Sequence, residues 1–286
     1  PEQRAQETLK RFFQGPVNML DTSRNYAMGE SEKRIGIAIK ENGGWPENFV
    51  LSTKIDRNMD TLVLDKKRTR ESIEESLKTL NVDSVDVLFL HDPEYVKDVN
   101  DVTKKDGALD ELFKIKEEGL AKAVGLAMGK IDIMFPMLKN WDFDVMINHN
   151  RYTLLNREAD EMYSYAHSKN ISIFNAAPYA GGILAKGPSN FKKITYQDAT
   201  EEKLAPAIEI EKVCKKYNVE MGAAALQFSM KDKRITSTLC GVTSIQSIEK
   251  NITWANTKIP EEFWDEVLKL PYSTKDPESE RNYTPG

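Results

Sequence analysis

Cysteine and histidine are scarce in this chain of 286 residues, which has two of the first and three of the second. Cys214 and Cys240 have no further thiol or histidine at ligand spacing, and His91, His149 and His167 form no His-x-His pair. A disulfide scaffold and a histidine-based metal site are both disfavoured, no metal is expected, and the two thiols read as free and buried. Long apolar runs are missing too. Nothing approaches the roughly 20 apolar residues of a membrane-spanning helix, and no signal-peptide series opens the sequence. The expectation is a cytoplasmic protein without a membrane partner. Positive charge is not in excess either: 40 basic residues against 45 acidic ones leave a net charge of −5 and no basic stripe for a phosphate backbone. Nucleic acid is not an expected partner, whereas a homo-oligomer is compatible with the composition. Glycine-rich phosphate loops are also absent. No Gly-x-Gly-x-x-Gly follows a strand-like run, and the segment from Gly182 to Gly187 continues with Pro188 where a phosphate loop would have lysine. A dinucleotide, if bound, is not held in the Rossmann manner.

What the chain does have is a series of short apolar runs rich in β-branched residues, at 17–21, 49–55, 85–91, 122–127, 143–149, 171–176 and 235–240. Their continuity, in place of strict alternation, predicts strands covered on both faces, as in a parallel sheet wrapped by helices. Helical stripes fill the gaps. Ile73, Leu77 and Leu80 mark one, Ala159, Met162, Tyr163 and Ala166 mark another, and Pro260 opens a final outer helix reaching Leu270. With no linker rich in glycine, serine or proline, this alternation predicts one α/β domain over residues 1–286. Asp21, Lys54, His91 and His149 fall at the ends of four runs, while the run starts lack such residues. In closed (β/α) barrels and open doubly wound sheets alike, sites form at the carboxyl ends of strands.

Asp21 and Tyr26 lie in Asp-Thr-Ser-Arg-Asn-Tyr, followed by Gly-Glu-Ser-Glu at 29–32. Here the chain resembles the aldo-keto reductases, whose second barrel strand ends in a similar Asp-to-Tyr motif. The resemblance continues in order through Ser-Thr-Lys at 52–54, Leu-Phe-Leu-His-Asp-Pro at 88–93 and Gly-Leu-Ala-Met at 125–128. It extends to Asn-Arg-Tyr-Thr-Leu-Leu-Asn at 150–156, Pro-Tyr-Ala-Gly-Gly-Ile-Leu at 178–184 and Gly-Val-Thr-Ser at 241–244. The Arg-Tyr-Thr-Leu-Leu element is most similar to the bacterial aldose, sugar-alcohol and pyridoxal dehydrogenases.

The resemblance implies a (β/α)8 TIM barrel and a catalytic tetrad of Asp21, Tyr26, Lys54 and His91. Each role has a physical basis. Hydride added to a carbonyl carbon leaves charge on oxygen, and Tyr26 would give that oxygen a proton. Lys54 would lower the tyrosine pKa from its usual value of about 10, and Asp21 would keep Lys54 charged and oriented. His91 would hydrogen-bond the substrate oxygen. The expected activity is NAD(P)-dependent transfer of hydride to or from a small aldose, polyol or aldehyde. Two other readings stay open: a Schiff-base lyase with Lys54 as nucleophile, and a non-catalytic relative that binds the cofactor.

At the family's nicotinamide-carboxamide positions this chain has Ala127, Met128, His149 and Ala176, of which His149 can still hydrogen-bond. The resemblance further assigns Ala180, Gly181 and Gly182 to the pyrophosphate, through their backbone amides. It assigns Thr243, Ser247 and Asn251, spaced by four on one helix face, to the adenosine. No arginine or lysine replaces these three, so NAD is expected over NADP. Trp45, Tyr95, Tyr152 and Tyr179 could each line a substrate pocket or equally pack in the core, the commoner fate of aromatics. Seven strands are counted where the barrel needs eight. By resemblance the first is the absent one, so the expectation is either an upstream strand missing from this chain or a chain displaced from the usual closed form.

Overall fold

The computed structural model describes residues 2–281. Its central sheet has seven strands, all parallel: β1 (Met19–Asp21), β2 (Val50–Ile55), β3 (Val85–His91), β4 (Ala121–Met128), β5 (Val145–His149), β6 (Ser172–Ala176) and, after a small antiparallel hairpin of β7 (Lys193–Ile194) and β8 (Gln197–Asp198), β9 (Ile235–Leu239). The order is sequential, from β1 at one edge to β9 at the other. Each predicted run coincides with one of these strands to within two residues at either end; β4 extends one residue beyond its run on both sides.

Both faces of the sheet are covered, which is why the runs are apolar throughout. Alternate residues of the strands point inward. Met19, Val50, Val87, Phe89, Ala127, Val145, Ile147, Phe174 and Leu239 form one interior cluster that joins both edge strands, so the sheet is curled into a nearly closed barrel. The intervening residues, such as Leu51, Ile55, Leu88, Leu90, Val124, Leu126, Met146 and Ile173, face the outer helices. The helix at 66–80 starts where the Asp65 carboxylate accepts from the Arg68 N–H at 2.8 Å. It lies so close to the preceding helix, Glu30–Glu41, that a Cβ on Gly36 would fall 2.0 Å from the Thr79 carbonyl. Any side chain there would separate the two helices.

Two smaller expectations are adjusted. The last helix is Glu261–Val267 with Pro260 just ahead of it as the cap, and a helix Glu2–Phe12 precedes β1. Cys240 is half-buried beside Tyr179, where Cys214 is buried. Among the described residues, no helix is long and apolar enough to cross a membrane. Pro1 and residues 282–286 of the expected domain lie outside the described residues.

Candidate active site

Alternation along a strand has period two, so a residue two beyond an inward-facing one also faces inward. Met19 leads to Asp21, Val50 to Ser52 and Lys54, Phe89 to His91, and Ile147 to His149. Five polar side chains thus share the interior face toward the carboxyl end of the barrel. Tyr26 reaches the same place from a turn. Its 3-10 segment, Tyr26–Gly29, includes Ala27 and Met28 in the left-handed region at φ 52° and 54°. Gly29 closes the turn at φ 87°, where a Cβ would come within 2.5 Å of Arg24 Nη1.

Lys54 is 2 % exposed, and its Nζ donates to Asp21 Oδ2 and to the Thr22 carbonyl, each at 2.6 Å. The Ser52 hydroxyl donates to the other oxygen of Asp21. Burial alone would lower the lysine pKa, but the charges of Asp21 and Tyr26 and their hydrogen bonds outweigh it and hold Lys54 above its ordinary value. Lys54 is therefore a fixed cation. Its Nζ lies 4.7 Å from the Tyr26 ring centroid, and the His91 ring meets the Tyr26 ring edge-on at 5.8 Å. Burial of the phenol pushes the Tyr26 pKa up to about 12, although the Lys54 charge pulls the other way. The expected depression by lysine is present, and desolvation overrides it. Tyr26 is consequently a phenol at neutral pH, and at 43 % exposure it is reachable from solvent.

Asp56 did not emerge from the sequence reading. It follows β2, is 1 % exposed, and brings Oδ1 to 2.5 Å from His91 Nδ1. Its Oδ2 accepts from the Ser23 hydroxyl at 2.5 Å and from the Asn25 N–H at 2.9 Å. The signal was available: Asp56 stands two residues beyond Lys54 and so continues its inward face. Burial disfavours the His91 charge, yet Asp92 and Asp56 more than offset this and raise its pKa.

His149 closes β5 with Nδ1 3.4 Å from Glu278 Oε2. Burial dominates there and lowers the His149 pKa, so this ring is neutral. Glu278 belongs to a strap, residues 275–281, that crosses this end of the barrel. Arg151, 1 % exposed, holds it with bonds of 2.6 Å to Glu278 and 2.6 Å to Asp276. The strap was not expected either, since its partners are far apart in sequence.

The residues expected on the dinucleotide side lie at the same barrel end but are partly committed to the fold. The Ala180 and Gly182 N–H groups donate within their own turn, to Ala177 and Tyr179 carbonyls at 3.0 and 2.9 Å. Gly181 makes room for the hairpin: a Cβ would sit 2.8 Å from the Tyr196 nitrogen. Ser247 uses its hydroxyl in a capping box with Ser244 at the start of the helix Ile245–Asn256. Asn251 accepts from the Tyr179 hydroxyl at 2.5 Å, and Thr243 is exposed. Two of the four aromatic candidates are core residues. Trp45 precedes β2, at the opposite end of the barrel, and packs on Phe12, Phe13 and Phe49. Tyr152 is buried, stacks on Phe228 and donates to Asp232 at 2.6 Å. Tyr95 remains at the site end, in the turn Pro93–Tyr95 after β3.

A parallel α/β barrel with its polar side chains gathered at the carboxyl ends of the strands is the architecture of a barrel enzyme. The chain belongs to the aldo/keto reductase family, which it matches over residues 1–270. It is 29 % identical over 263 residues to L-galactose dehydrogenase of Arabidopsis thaliana, covering 88 % of this chain and 77 % of that one. To D-threo-aldose 1-dehydrogenase of a Pseudomonas species it is 27 % identical over 287 residues, covering 91 % and 86 %. Pyridoxal 4-dehydrogenase of Microbacterium luteolum is 24 % identical over 296 residues, with 91 % and 86 % covered. Among solved structures, the holo form of an aldo-keto reductase from Bacillus halodurans superposes with a TM-score of 0.80 at 19 % identity, over 99 % of this chain and 91 % of that one. This protein is accordingly an oxidoreductase acting on carbonyl or CH–OH groups, in a family that uses a nicotinamide cofactor.

Proposed function

We propose that this chain transfers hydride between NAD and a small aldose, polyol or aldehyde, with Tyr26 as general acid and base. The observation that carries this reading is the convergence of Asp21, Tyr26, Lys54 and His91 on one barrel end, with Lys54 ion-paired at 2.6 Å and set against the tyrosine ring. The family's nicotinamide supplies or accepts the hydride when bound. In carbonyl reduction Tyr26, a phenol at neutral pH, gives the proton to the substrate oxygen, and the adjacent Lys54 charge favours the phenolate left behind. In the reverse direction that phenolate takes the proton of the hydroxyl. His91 hydrogen-bonds the substrate oxygen.

The donors on the other side of the barrel end suit a nicotinamide dinucleotide. Neutral, part-exposed His149 can hydrogen-bond an uncharged carboxamide. The exposed loop 241–243 leads into a twelve-residue helix whose N-terminus favours an anion. Thr243, Ser247 and Asn251 offer no cation to a 2′-phosphate, and nearby Lys250 is turned to Glu220 at 2.5 Å. That supports NAD over NADP. The sugar and aldehyde substrates rest on the names of the relatives. A Schiff-base role for Lys54 is disfavoured, because a nucleophilic amine must be neutral and this one is held charged. A binding protein without turnover would have no use for so complete a proton-transfer set.

The test is a screen at 340 nm with NAD and NADP against sugars and aldehydes, with Tyr26→Phe alongside. Turnover with NAD is expected to exceed that with NADP, and Tyr26→Phe to lose about 10²- to 10⁴-fold in kcat while remaining folded. Equal efficiency with both cofactors would remove the NAD preference. Retention of most activity by Tyr26→Phe would remove the mechanism.

A further inference from the structure

Resting on the reading of His91 as the partner of the substrate oxygen, we infer that Asp56 locks the imidazole proton on Nδ1, so that the Nε2 left for substrate can donate a hydrogen bond only while His91 carries its charge. Asp56 is a positioning residue in this scheme. It touches neither substrate nor cofactor and acts through the histidine ring.

The direction of the Asp56–His91 bond follows from its surroundings. One carboxylate receives three donors: the Ser23 hydroxyl at 2.5 Å, the Asn25 N–H at 2.9 Å and His91 Nδ1 at 2.5 Å. A carboxylate in such a cradle is ionised and has no proton to give, so Nδ1–H must be the donor. Neutral His91 then has a bare lone pair on Nε2. A carbonyl oxygen also offers lone pairs alone, and the two acceptors cannot bond. Protonation of Nε2 restores a donor and adds positive charge where the alkoxide develops. The substrate oxygen still takes its proton from Tyr26, and the hydride goes to carbon. His91 gives up no proton and contributes a charge-assisted hydrogen bond.

The charges facing the ring keep it protonated. Asp56 stands on one side and Asp92 lies 3.7 Å from Nε2; the pKa of Glu94, which feels the Asp92 charge, is pushed up to about 7 mainly by burial, so Glu94 is only partly ionised at neutral pH. Against them acts Lys54 from β2, while the neutral His149 of β5 adds no charge and Tyr26 faces the ring edge-on. Burial also acts against the charge, and the carboxylates prevail.

Asp56→Asn separates the tautomer from the fold. The amide keeps an oxygen to accept from Ser23 and the Asn25 N–H and turns its NH₂ toward His91 Nδ1. The neutral ring is then free to carry its proton on Nε2. Two measurements test this. In long-range ¹H–¹⁵N spectra of the intact wild-type protein, with the His91 signals identified by their loss in His91→Gln, the neutral ring is expected to have its proton on Nδ1. A neutral ring protonated on Nε2 overturns the proposal, whatever the variant's stability. In the pH profile of kcat/KM for carbonyl reduction, the wild type is expected to lose activity as His91 loses its charge, and Asp56→Asn to lack that limb. The same limb in both proteins overturns the proposal. Tyr26→Phe is run in parallel: an inactive Tyr26→Phe beside an unaltered limb in Asp56→Asn defeats this inference alone, whereas an active Tyr26→Phe defeats the proposed mechanism and leaves the tautomer assignment standing.

Discussion

Two buried cations sit at one end of this barrel, and they serve different ends. Lys54 and Arg151 are 2 % and 1 % exposed, and each has a carboxylate oxygen at 2.6 Å. The lysine is a point charge on a flexible stem. Asp21 and the Thr22 carbonyl hold it in place, and its field falls on the neighbouring Tyr26 ring. The arginine is a planar fork whose two terminal nitrogens bind separate carboxylates of the strap, with Glu158 3.8 Å from its Nε. Its charge is consumed in holding backbone together. Burial of a charge therefore does not by itself single out a candidate catalytic group; what remains of its field after pairing is the better guide.

Removing the arginine should have the largest effect. Arg151→Met leaves Glu278 and Asp276 without their shared counter-charge, and the expected cost is about 3–5 kcal/mol with release of residues 275–281. Denaturant unfolding and limited proteolysis measure the two. Unchanged stability would erase the contrast drawn between the cations.

The lysine pair gives a sharper test because stability and turnover should part company there. Asp21→Asn strands a buried ammonium and is expected to cost up to about 3–5 kcal/mol, less if the Thr22 carbonyl and solvent compensate. Adding Lys54→Met to Asp21→Asn removes the stranded charge, so stability should return while activity does not. If the double variant recovers turnover, Lys54 acts only as a structural cation.

The smallest effect concerns a third pair, nearer the surface. Burial opposes the Asp232 charge, but bonds from Arg234 and Tyr152 win and take its pKa from 3.8 to about 2. Because the folded value lies below the unfolded one, this pair's stabilisation is complete above about pH 4 and disappears as pH falls toward 2. Acid titration of Asp232→Asn should accordingly show a flatter loss of stability in that window than the wild type.

The barrel was legible because buried parallel strands leave continuous apolar runs, and seven runs became seven strands. Asp21, Lys54 and His91 were legible because each ends an inward row, and Tyr26 because its motif adjoins Asp21. Asp56 escaped notice since an acidic residue after a strand usually reads as a cap or turn residue. The strap escaped for a stronger reason. Asp276 and Glu278 lie in a polar stretch with no periodicity, and only the folded chain shows that Arg151 needs them. For Trp45 and Tyr152 the packing alternative prevailed, and the sequence left it open because an aromatic's chemistry suits a core as well as a pocket. Ser247 shows the same limit at finer scale: its hydroxyl suits a ligand or a helix cap, and here the cap has it.

The strap also sets an order of events during synthesis. Tyr26 and the partners of the two ion pairs beside it lie between residues 21 and 91 and can meet early, as neighbouring strands of one sheet. Arg151 waits for a carboxylate 127 residues downstream. While those residues are still unmade, the guanidinium has only Glu158, 3.8 Å from its Nε, and lacks both of its 2.6 Å partners, so this part of the barrel end has reason to stay open. The half that holds the tyrosine can thus settle on the ribosome well before the half that faces His149 is sealed.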